Sequence, residues 1–430
     1  MTVTSPPHDG LTFASFRADD LGEVTPAQRD GWLEAHSRGF HKGRNNDEMR
    51  KHYFEHAVSD DALLRGVWQV RPLVGSGKLP IATFGSFDKT LNVGGNRLLP
   101  LRMITDVTVS PTHRRQGLLR RLMTQDLQEA VDQGLPLAAL TVSEGSIYGR
   151  FGFGLATQLR HLEVDTSARF VLRGLDDEGS IELVEPEEAW PTVESVFAEF
   201  HRRTRGSVER PLFYRPILSG TFDYRDGPDT LLRAAVHLDA AGRPDGYVIY
   251  KPGERRDDSR AIEVKDLVAL TSQAYLRIWR FLADIDLATK VTWQDAPVAD
   301  PLEWALVDPF VAKVVKTTDQ LWVRVLDVVA ALEARPWAAD GDVVLEVADP
   351  LGHAAGRFRV TTSAGQAKVS RTDDEPDVLL EADTLGALYL GGVGVATLRA
   401  AGRVTGSDEG VTTWAAMADT GPPPYCITGF

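Results

Sequence analysis

The chain has 430 residues, 43% hydrophobic and 25% charged, which predicts two to four globular domains and excludes the disordered, collagen-like and coiled-coil classes. Acidic residues outnumber basic ones by 61 to 47, which gives a net charge of −14. That excess argues against sequence-independent binding to nucleic acid or to an anionic membrane, because phosphates bind clustered Lys and Arg.

The pattern of residues 1–160 predicts an α/β domain. A helix is predicted over Pro26–Phe40, and a short polar loop follows it. Strands are then predicted at Leu63–Val70, Ile81–Phe87, Asn96–Leu101 and Met103–Val109. A basic loop leads into a helix over Leu118–Gly134 and a strand at Leu137–Thr141. This βαβ unit predicts a right-handed crossover between neighbouring parallel strands.

Residues 161–309 predict a second α/β domain without a basic loop, and residues 310–430 predict a β-rich α+β domain. The second domain's elements are the strands Leu159–Val164, Leu231–Leu238, Gly246–Tyr250 and Ile262–Ala269 and the helices Glu187–His201 and Ser272–Leu282. Those of the third are the strands Gly341–Val347, Gly356–Thr362 and Gly365–Val369 and the helices Val325–Ala334, Asp383–Tyr389 and Gly394–Ala401. No low-complexity tract separates the domains, so we expect them to pack together.

Cysteine usage and the N-terminal segment bear on the compartment. Cys426 is the one cysteine in the sequence, which excludes an internal disulfide framework and a cysteine-based zinc site. Residues 1–10 lack the apolar region of a signal peptide, and no run approaches the roughly 18 apolar residues of a membrane span. We therefore expect a cytoplasmic protein. The ten histidines show no HExxH spacing, and we predict no metal site.

The segment 111–122 carries four arginines, one histidine and no carboxylate in an otherwise acidic chain. A loop that opens a helix presents unpaired backbone N–H groups and the positive end of the helix dipole. Gly117 leaves room for a pyrophosphate to lie on these amides. The P-loop and Rossmann glycine patterns are both absent from this junction. The alternative is a solvated helix start, but cations at a helix N-terminus are unfavourable unless an anion binds there.

The run Arg114-Arg115-Gln116-Gly117-Leu118-Leu119 resembles the acetyl-CoA loop of the GNAT superfamily, Arg/Gln-x-x-Gly-x-Gly/Ala, and departs from it only at Leu119. Together with the run from Ser143 to Gly154, it more specifically resembles the enhanced intracellular survival (Eis) family. The resemblance covers the whole chain and implies an α/β (α+β) multidomain fold. Its domains would be two tandem GNAT-like domains, at 1–160 and 161–309, and a sterol-carrier-protein-like α+β domain at 310–430. A homohexamer is also implied.

The resemblance further implies acetyl-CoA as cosubstrate, held by the strand before the loop, by the loop and by residues after the next strand. Carried onto this sequence, these residues are Val107, Thr108, Val109, Arg115, Gln116, Gly117, Leu118, Leu119, Arg120, Ser143 and Glu144. The physical chemistry agrees, because backbone amides and carbonyls at 107–109 could pair with the pantetheine as an added strand would.

Tyr148 matches the position of the family's general acid. Attack of an amine on a thioester expels a thiolate, and a tyrosine with a pKa of about 10 can donate a proton as that negative charge develops. The alternative for a tyrosine among Gly149, Gly152 and Gly154 is a packing or turn residue.

In the family, the proton of the amine passes to the chain's own terminal carboxylate, which here belongs to Phe430. Most chain ends fray, but residues 422–430 carry three prolines and then apolar residues without any charge, so we expect this end to dock. A free carboxylate is a weak base for an ammonium. Either burial raises its pKa or a water molecule relays the proton, and the sequence leaves both routes open.

The candidates for the acceptor pocket are Asp19, Asp20, Trp32, Phe40 and Asp106, the last standing where well-known relatives have an aromatic residue. The leading hypothesis is an acetyl-CoA-dependent N-acetyltransferase that acts on primary amines of small cationic molecules by direct attack in a ternary complex. Aminoglycosides are the acceptors that the resemblance implies. Two alternatives are a protein-lysine or peptide N-acetyltransferase and a non-catalytic regulator that binds acetyl-CoA or an apolar ligand.

Overall fold

Three β-sheets packed against helices organise the computed structural model, which describes residues 10–142, 144–223, 227–256, 259–419 and 421–430. The N-terminal elements are β1 (Leu11–Phe16), α1 (Pro26–Gly39), α2 (Asp47–Ser59), β2 (Leu63–Gln69), β3 (Ala82–Gly94), β4 (Arg97–Val109), α3 (Leu118–Asp132), β5 (Leu137–Leu140) and β6 (Gly154–Leu155). Within the described residues the strand order of this first sheet begins β1-β2-β3-β4-β5. A strand from later in the chain (Trp322–Val325) follows β5, and β6 lies at the far edge.

The second sheet and its helices follow. Their elements are β7 (Gln158–Asp165), β8 (Ser180–Val184), α4 (Pro186–Arg203), α5 (Tyr214–Leu218), β9 (Arg233–Leu238), β10 (Pro244–Arg256), β11 (Ser259–Ala269), α6 (Ser272–Ala283), β12 (Ala288–Pro297), α7 (Leu302–Ala305) and β13 (Ala312–Asp319). The strand order is β13-β7-β12-β11-β10-β9-β8.

The remaining elements are β14 (Trp322–Val325), α8 (Val328–Ala334), β15 (Gly341–Ala348), β16 (Gly356–Ser363), β17 (Gln366–Arg371), β18 (Val378–Glu381), α9 (Ala382–Tyr389), α10 (Val395–Ala400), β19 (Val404–Gly406) and α11 (Asp408–Ala418). The third sheet has the order β17-β16-β15-β18-β19. A β-rich α+β unit therefore forms the C-terminal part, as the sequence predicts.

Two strands near the expected start of the third domain belong to the earlier sheets. β13 pairs with β7 in the second sheet, and β14 pairs with β5 and β6 in the first. The third sheet's own strands begin at Gly341. The helix predicted from Val325 begins at Val328 instead, because Val325 ends β14 and the Asp327 side chain caps α8 by accepting the Ala330 N–H.

The polar loop predicted after Phe40 is wrong in part, since residues 47–59 form α2. Asn46 caps this helix by accepting the backbone N–H of Met49, and two acidic residues in the first turn suit the helix dipole. Phe54 and Ala57 are its buried residues, and they belong to the hydrophobic core that also contains Trp32 and Leu64. The helix adds a second wall to the part of the molecule where α1 lies.

β4 is one continuous strand where the sequence predicts two. It pairs with β3 from Arg97 to Val109, and Arg102 interrupts its apolar pattern without breaking it. The predicted parallel crossover is confirmed, because β4 and β5 pair in parallel and α3 connects them. Their pairing ends at Ile104 and Leu140, while β4 continues to Val109. Beyond Ile104, no strand of the described residues pairs with β4 on the β5 side.

A β-bulge lies on this free part of β4. Thr83 pairs with Thr108 and Gly85 pairs with Thr105, so Asp106 and Val107 together oppose the single residue between Thr83 and Gly85. Asp106 has a φ of 55°, which is rare for a residue with a side chain. Bulges re-aim the side chains beside them, and this bulge separates the two faces of the site described below.

No helix of the described ranges is long and apolar enough to cross a membrane.

A buried carboxylate ties α3 to the first sheet. Asp126 is fully buried, and its Oδ1 lies 2.7 Å from Arg65 Nη1 and 2.9 Å from Arg102 Nη1. The Ser86 hydroxyl donates to the same oxygen at 2.6 Å. These contacts connect β2, β3 and β4 to the helix that opens at the basic loop.

We expect Asp126→Asn to lower the free energy of unfolding by about 3 kcal/mol, because it leaves two buried arginines without their shared counter-ion. Urea denaturation measures this loss. Asp132→Asn, an exposed position at the end of the same helix, is the matched control and should change the free energy by less than about 0.5 kcal/mol. Equal transition midpoints for the two variants would contradict the structural role of Asp126.

Candidate functional site

The basic loop lies at the carboxyl end of β4 and turns directly into α3. Arg115 and Gly117 both have left-handed backbone, with φ of 63° and 81°. The first turn of α3 has neither a side-chain cap nor an acidic residue. A Cβ built on Gly117 would meet no atom within 4 Å, so open space lies above these backbone amides. An anion can therefore approach the amides, with the helix dipole favouring it.

The arginines of the loop are exposed, as an anion site requires. Arg121 stacks on the ring of Phe13, with 3.7 Å between its guanidinium carbon and the ring centroid. Within the described part of the chain, Arg114, Arg115 and Arg120 form no ion pair. Uncompensated cations at an uncapped helix start are the arrangement that a phosphate would stabilise.

The other residues predicted for acetyl-CoA lie on β4, on the loop and α3, and beyond β5. Val107, Thr108 and Val109 form the end of β4, on the part that β5 leaves free. Leu118 is buried in the core below the loop, whereas Glu144 is exposed beyond β5. The remaining predicted residues Gln116 and Leu119 are half-buried on the loop and on α3. Ser143 lies outside the described residues.

Tyr148 stands at the start of a short 3₁₀ turn over 149–151 and is only 7% exposed. Its ring meets Phe153 edge to face, with centroids 6.4 Å apart, in the same apolar cluster as Leu118. Burial, and then the charge of Glu144, raise the pKa of Tyr148 above its ordinary value of 10.0. The phenol therefore keeps its proton at neutral pH. Its ring packs in the apolar cluster at the same time, so a role as an acid and a role in packing are compatible.

The chain's last residue docks in the first domain. The hydroxyl of Thr141, directly after β5, donates to a terminal oxygen of Phe430 at 2.6 Å. The Phe430 ring lies edge to face against Phe87 on β3, with centroids 6.4 Å apart. The terminal carboxylate is thus held near the end of β5, close to the point where β4 and β5 stop pairing.

The segment before Phe430 is anchored by residues of the second domain and its connections. The Tyr214 hydroxyl accepts the N–H of Gly429 at 2.7 Å. Gln320 donates to the Thr428 carbonyl at 2.9 Å, and the Thr428 hydroxyl donates to the Val208 carbonyl at 3.2 Å. Cys426 and Thr428 are fully buried. The C-terminal segment is therefore docked against the protein and not frayed, as the sequence predicts.

A cavity of about 230 Å³ lies between α1, α2, the bulge of β4 and the start of α5. Its apolar wall includes Leu33, Met49, Ala57, Leu64, Phe87, Phe213, Ile217 and the ring of Phe430. Its polar lining includes His36, Tyr53, Asp60, Ser86 and Asp106. The cavity is therefore amphipathic, and it reaches from the second domain to the strand that carries the predicted pantetheine contacts.

Asp106 is the carboxylate at the bulge end of this cavity. The Nε2 of His36 lies 2.9 Å from its Oδ1, and the Tyr53 hydroxyl donates to its Oδ2 at 2.6 Å. Burial opposes its ionisation, but the contact with His36, the hydrogen bond from Tyr53 and the nearby Lys42 outweigh burial, and the pKa of Asp106 lies below its ordinary value. Asp106 is therefore an anion at neutral pH.

The other acceptor candidates do not meet in the cavity. Asp19 and Asp20 are exposed and do not line it. Trp32 is fully buried, and its indole N–H donates to the Arg65 carbonyl at 2.7 Å, which makes it part of the core. Phe40 is 40% exposed and lies beside the cavity, where its ring centroid is 5.0 Å from that of His36.

Sequence reasoning missed His36, although it lies on the predicted helix α1, and it missed Tyr53 because α2 was not predicted. A signal was available, since Asn46 is a helix cap and Met49, Tyr53 and Ala57 recur every four residues. Asp60, another residue of the cavity lining, was not among the predicted candidates either. Asp60 is buried, with Lys89 Nζ at 2.8 Å and the Leu212 N–H at 2.9 Å.

Among the residues that the structure describes, no group of three or more His, Cys, Asp or Glu side chains could hold a metal ion.

Family models match three consecutive parts of the chain. Residues 21–156 and residues 206–325 each match an acetyltransferase (GNAT) domain. Residues 328–427 match a sterol carrier protein domain. The predicted fold class, two tandem GNAT-like domains followed by a sterol-carrier-like domain, is confirmed by this order.

Whole-chain relatives agree. The chain is 35% identical over 353 residues to the N-acetyltransferase Eis of Mycobacterium tuberculosis strain H37Ra, covering 80% of this chain and 84% of that one. It is 33% identical over 423 residues to an uncharacterized N-acetyltransferase of Streptomyces avermitilis, covering 95% and 97%. The crystal structure of Eis1 from Mycobacterium abscessus matches with a TM-score of 0.80 and 27% identity, over 98% of this chain and 100% of that one. The chain therefore belongs to the Eis family of GNAT N-acetyltransferases.

Proposed function

We propose that this N-acetyltransferase transfers the acetyl group of acetyl-CoA to a primary amine of a small cationic molecule, by direct attack in a ternary complex. One observation carries the proposal. The amphipathic cavity and the free edge of β4 meet at the bulge of Asp106 and Val107, so an amine and a thioester could lie on the two sides of one strand. Two substrates bound together in this way need no covalent enzyme intermediate.

The cosubstrate fits the residues on the loop side. The backbone amides at the start of α3 and the arginines 114, 115 and 120 would hold the pyrophosphate. The backbone of 107–109 would pair with the pantetheine amides as a neighbouring strand does. Ser143 and Glu144 complete the set that the family resemblance implies.

Tyr148 is proposed as the proton donor. The lone pair of the amine forms the new C–N bond, the C–S bond breaks, and the phenol gives its proton to the departing thiolate. Its raised pKa supports this role, because the hydroxyl stays protonated over the whole neutral range. Its apolar surroundings also strengthen a hydrogen bond to a developing negative charge.

The terminal carboxylate of Phe430 is proposed as the acceptor of the amine's proton. Phe430 lines the same cavity as Asp106, and the hydrogen bond from Thr141 holds its carboxylate in place. The fixed tail supports the role, since a proton acceptor must be positioned before its basicity matters. Direct transfer and transfer through one water molecule both suit this position.

The proposed acceptors are cations, because the carboxylate of Asp106 lines the cavity. Aminoglycosides are the class that the family resemblance implies. A cavity of about 230 Å³ would take one amine-bearing ring, with the rest of such a molecule outside. A panel of aminoglycosides and peptides with acetyl-CoA, scored by mass, tests the acceptor class. Acetylated peptides alone would support the protein-lysine alternative, and acetyl-CoA binding without any product would support the regulatory one. The homohexamer and the cytoplasmic location stay predictions.

We expect Gly117→Ala to raise the KM for acetyl-CoA about tenfold, because the added methyl group stands where the phosphates would approach the amides. Steady-state kinetics measure this change. Gly134→Ala is the matched control, since Gly134 ends the same helix with a φ of 76° and equally open space around its Cβ position. Both variants should lose about 1 kcal/mol of stability, but only the first should change the KM. An unchanged KM in Gly117→Ala would contradict the phosphate site.

We expect Tyr148→Phe to lower kcat about 100-fold with little change in the KM for acetyl-CoA. Because a donor must be protonated and its pKa lies above 10.0, the wild-type kcat should not decline until the pH exceeds that value. Tyr389→Phe removes a hydroxyl from another buried tyrosine, which donates to the Ala331 carbonyl outside the site, and should leave kcat unchanged. Full activity in Tyr148→Phe would exclude the proton-donor role.

We expect deletion of Phe430, or a peptide tag after it, to lower kcat about 100-fold or more, because either change displaces the carboxylate from the cavity. Phe430→Leu is the control, because it keeps a terminal carboxylate at the same position and changes only the ring. Its kcat should stay within about tenfold of the wild type. Unchanged turnover in the deletion variant would overturn the role of the terminal carboxylate.

A further inference from the structure

Asp106 is held by two neighbouring side chains, one for each carboxylate oxygen. His36 of α1 contacts Oδ1 and Tyr53 of α2 donates to Oδ2. The Thr83 hydroxyl donates to the backbone carbonyl of the same residue at 2.7 Å. The backbone of Asp106 lies in the left-handed region, and contacts with His36, Tyr53 and Thr83 fix the residue. A charged group that is fixed in this way is ready to bind a ligand without rearrangement.

Both neighbours of Asp106 stabilise its ionised form. Nε2 of His36 faces Oδ1, and the Tyr53 hydroxyl donates to Oδ2. Burial opposes ionisation, but these contacts outweigh it and keep the pKa of Asp106 below its ordinary value. The carboxylate therefore carries its negative charge at neutral pH.

The other charges around the cavity do not cancel that of Asp106. Asp60 lies in the same cavity, but its charge is neutralised by Lys89. Lys42 lies at the cavity's exposed rim, where its Nζ is 5.7 Å from the centroid of the Phe40 ring. In the described part of the chain, no lysine or arginine forms an ion pair with Asp106. A largely buried carboxylate that forms no ion pair with a lysine or arginine of the described residues favours binding of a cation.

The location of Asp106 gives this charge a use. Its side chain is 16% exposed and lines the cavity, and its backbone continues directly into Val107, the first residue of the predicted pantetheine contacts. A cation bound at Asp106 would therefore lie next to the strand that would hold the thioester. Apolar side chains such as Leu33, Met49 and Phe213 form the wall beyond it and suit the carbon skeleton that carries the cation.

We propose that Asp106, positioned by His36 and Tyr53, is the binding site for the ammonium group of the acceptor. The inference rests on the proposed function, because it identifies the bound cation as the acceptor. The binding of a cation at Asp106 depends only on the cavity. It assigns the specificity for a cationic acceptor to the charge of Asp106 at the bulge. His36 and Tyr53 are positioning residues that act through the carboxylate.

Benzylamine and benzyl alcohol test the proposal, because they share one ring and differ in charge at neutral pH. Calorimetry with the full chain in the presence of CoA measures the binding of each without turnover. We expect the wild type to bind benzylamine at least about tenfold more tightly than benzyl alcohol. Asp106→Asn keeps the shape of the side chain and should reduce that ratio to within about threefold of unity, through weaker binding of the amine alone.

Two further variants separate positioning from folding. Tyr53→Phe keeps the ring and removes one hydrogen bond, and should reduce the ratio by a smaller factor than Asp106→Asn. Asp61→Asn makes the same change in net charge at an exposed residue paired with Arg17, and should leave the ratio unchanged. Circular dichroism checks that each variant is folded.

Equal discrimination by Asp106→Asn and the wild type would overturn the proposal, as would a wild type that does not discriminate. Because no acetyl group is transferred in this experiment, its result is independent of the proposed activity. Activity on an amine panel with an unchanged ratio in Asp106→Asn would retain the function and reject the ammonium site. Lost discrimination in Asp106→Asn, together with no activity on any amine, would retain the ammonium site and reject the proposed function.

Discussion

The docking of the uncharged C-terminal segment is the constraint on which the rest of the site depends. Cys426 and Thr428 are fully buried between elements of the first two domains, and Phe430 closes one side of the cavity. The segment can reach this position only if the third domain is packed against the other two at a fixed orientation. β13 and β14 supply that orientation, because they return the chain to the second and first sheets before the third sheet begins. Packing far from the cavity therefore decides where the last carboxylate lies.

The second constraint is the separation of β4 from β5 after Ile104. It leaves backbone groups free on one edge of β4, and the bulge beside it directs Asp106 into the cavity on the other side. Beneath the loop, buried Asp126 holds α3 against β2 and β4 through two arginines. The uncapped start of α3 is therefore fixed relative to the strand, which is the condition for one ligand to contact both. This arrangement suits the proposed direct transfer, in which the two substrates would meet at this strand.

The loop side of the candidate site could be proposed from the sequence, because its residues are consecutive. Arg115, Gly117 and the strand end at 107–109 are neighbours along the chain, and their chemistry depends on local backbone geometry. The acceptor side was predicted poorly. Asp106 was identified as a candidate, but its partners His36 and Tyr53 lie on two helices far from it in sequence. Trp32 was a candidate for the acceptor pocket, but it is a fully buried core residue on α1, so its residue type alone did not identify its role.

The sequence by itself determined the order of the domains, the βαβ unit with its basic loop, and an uncharged end suited to burial, because each depends on composition or on short-range periodicity. Only the tertiary structure decided that β14 joins the first sheet, that α2 forms a cavity wall, that Asp106 and Phe430 line one cavity, and that Thr141 holds the terminal carboxylate. These contacts join residues separated by tens to hundreds of positions. They depend on the packing of whole elements, which no local pattern of residues encodes.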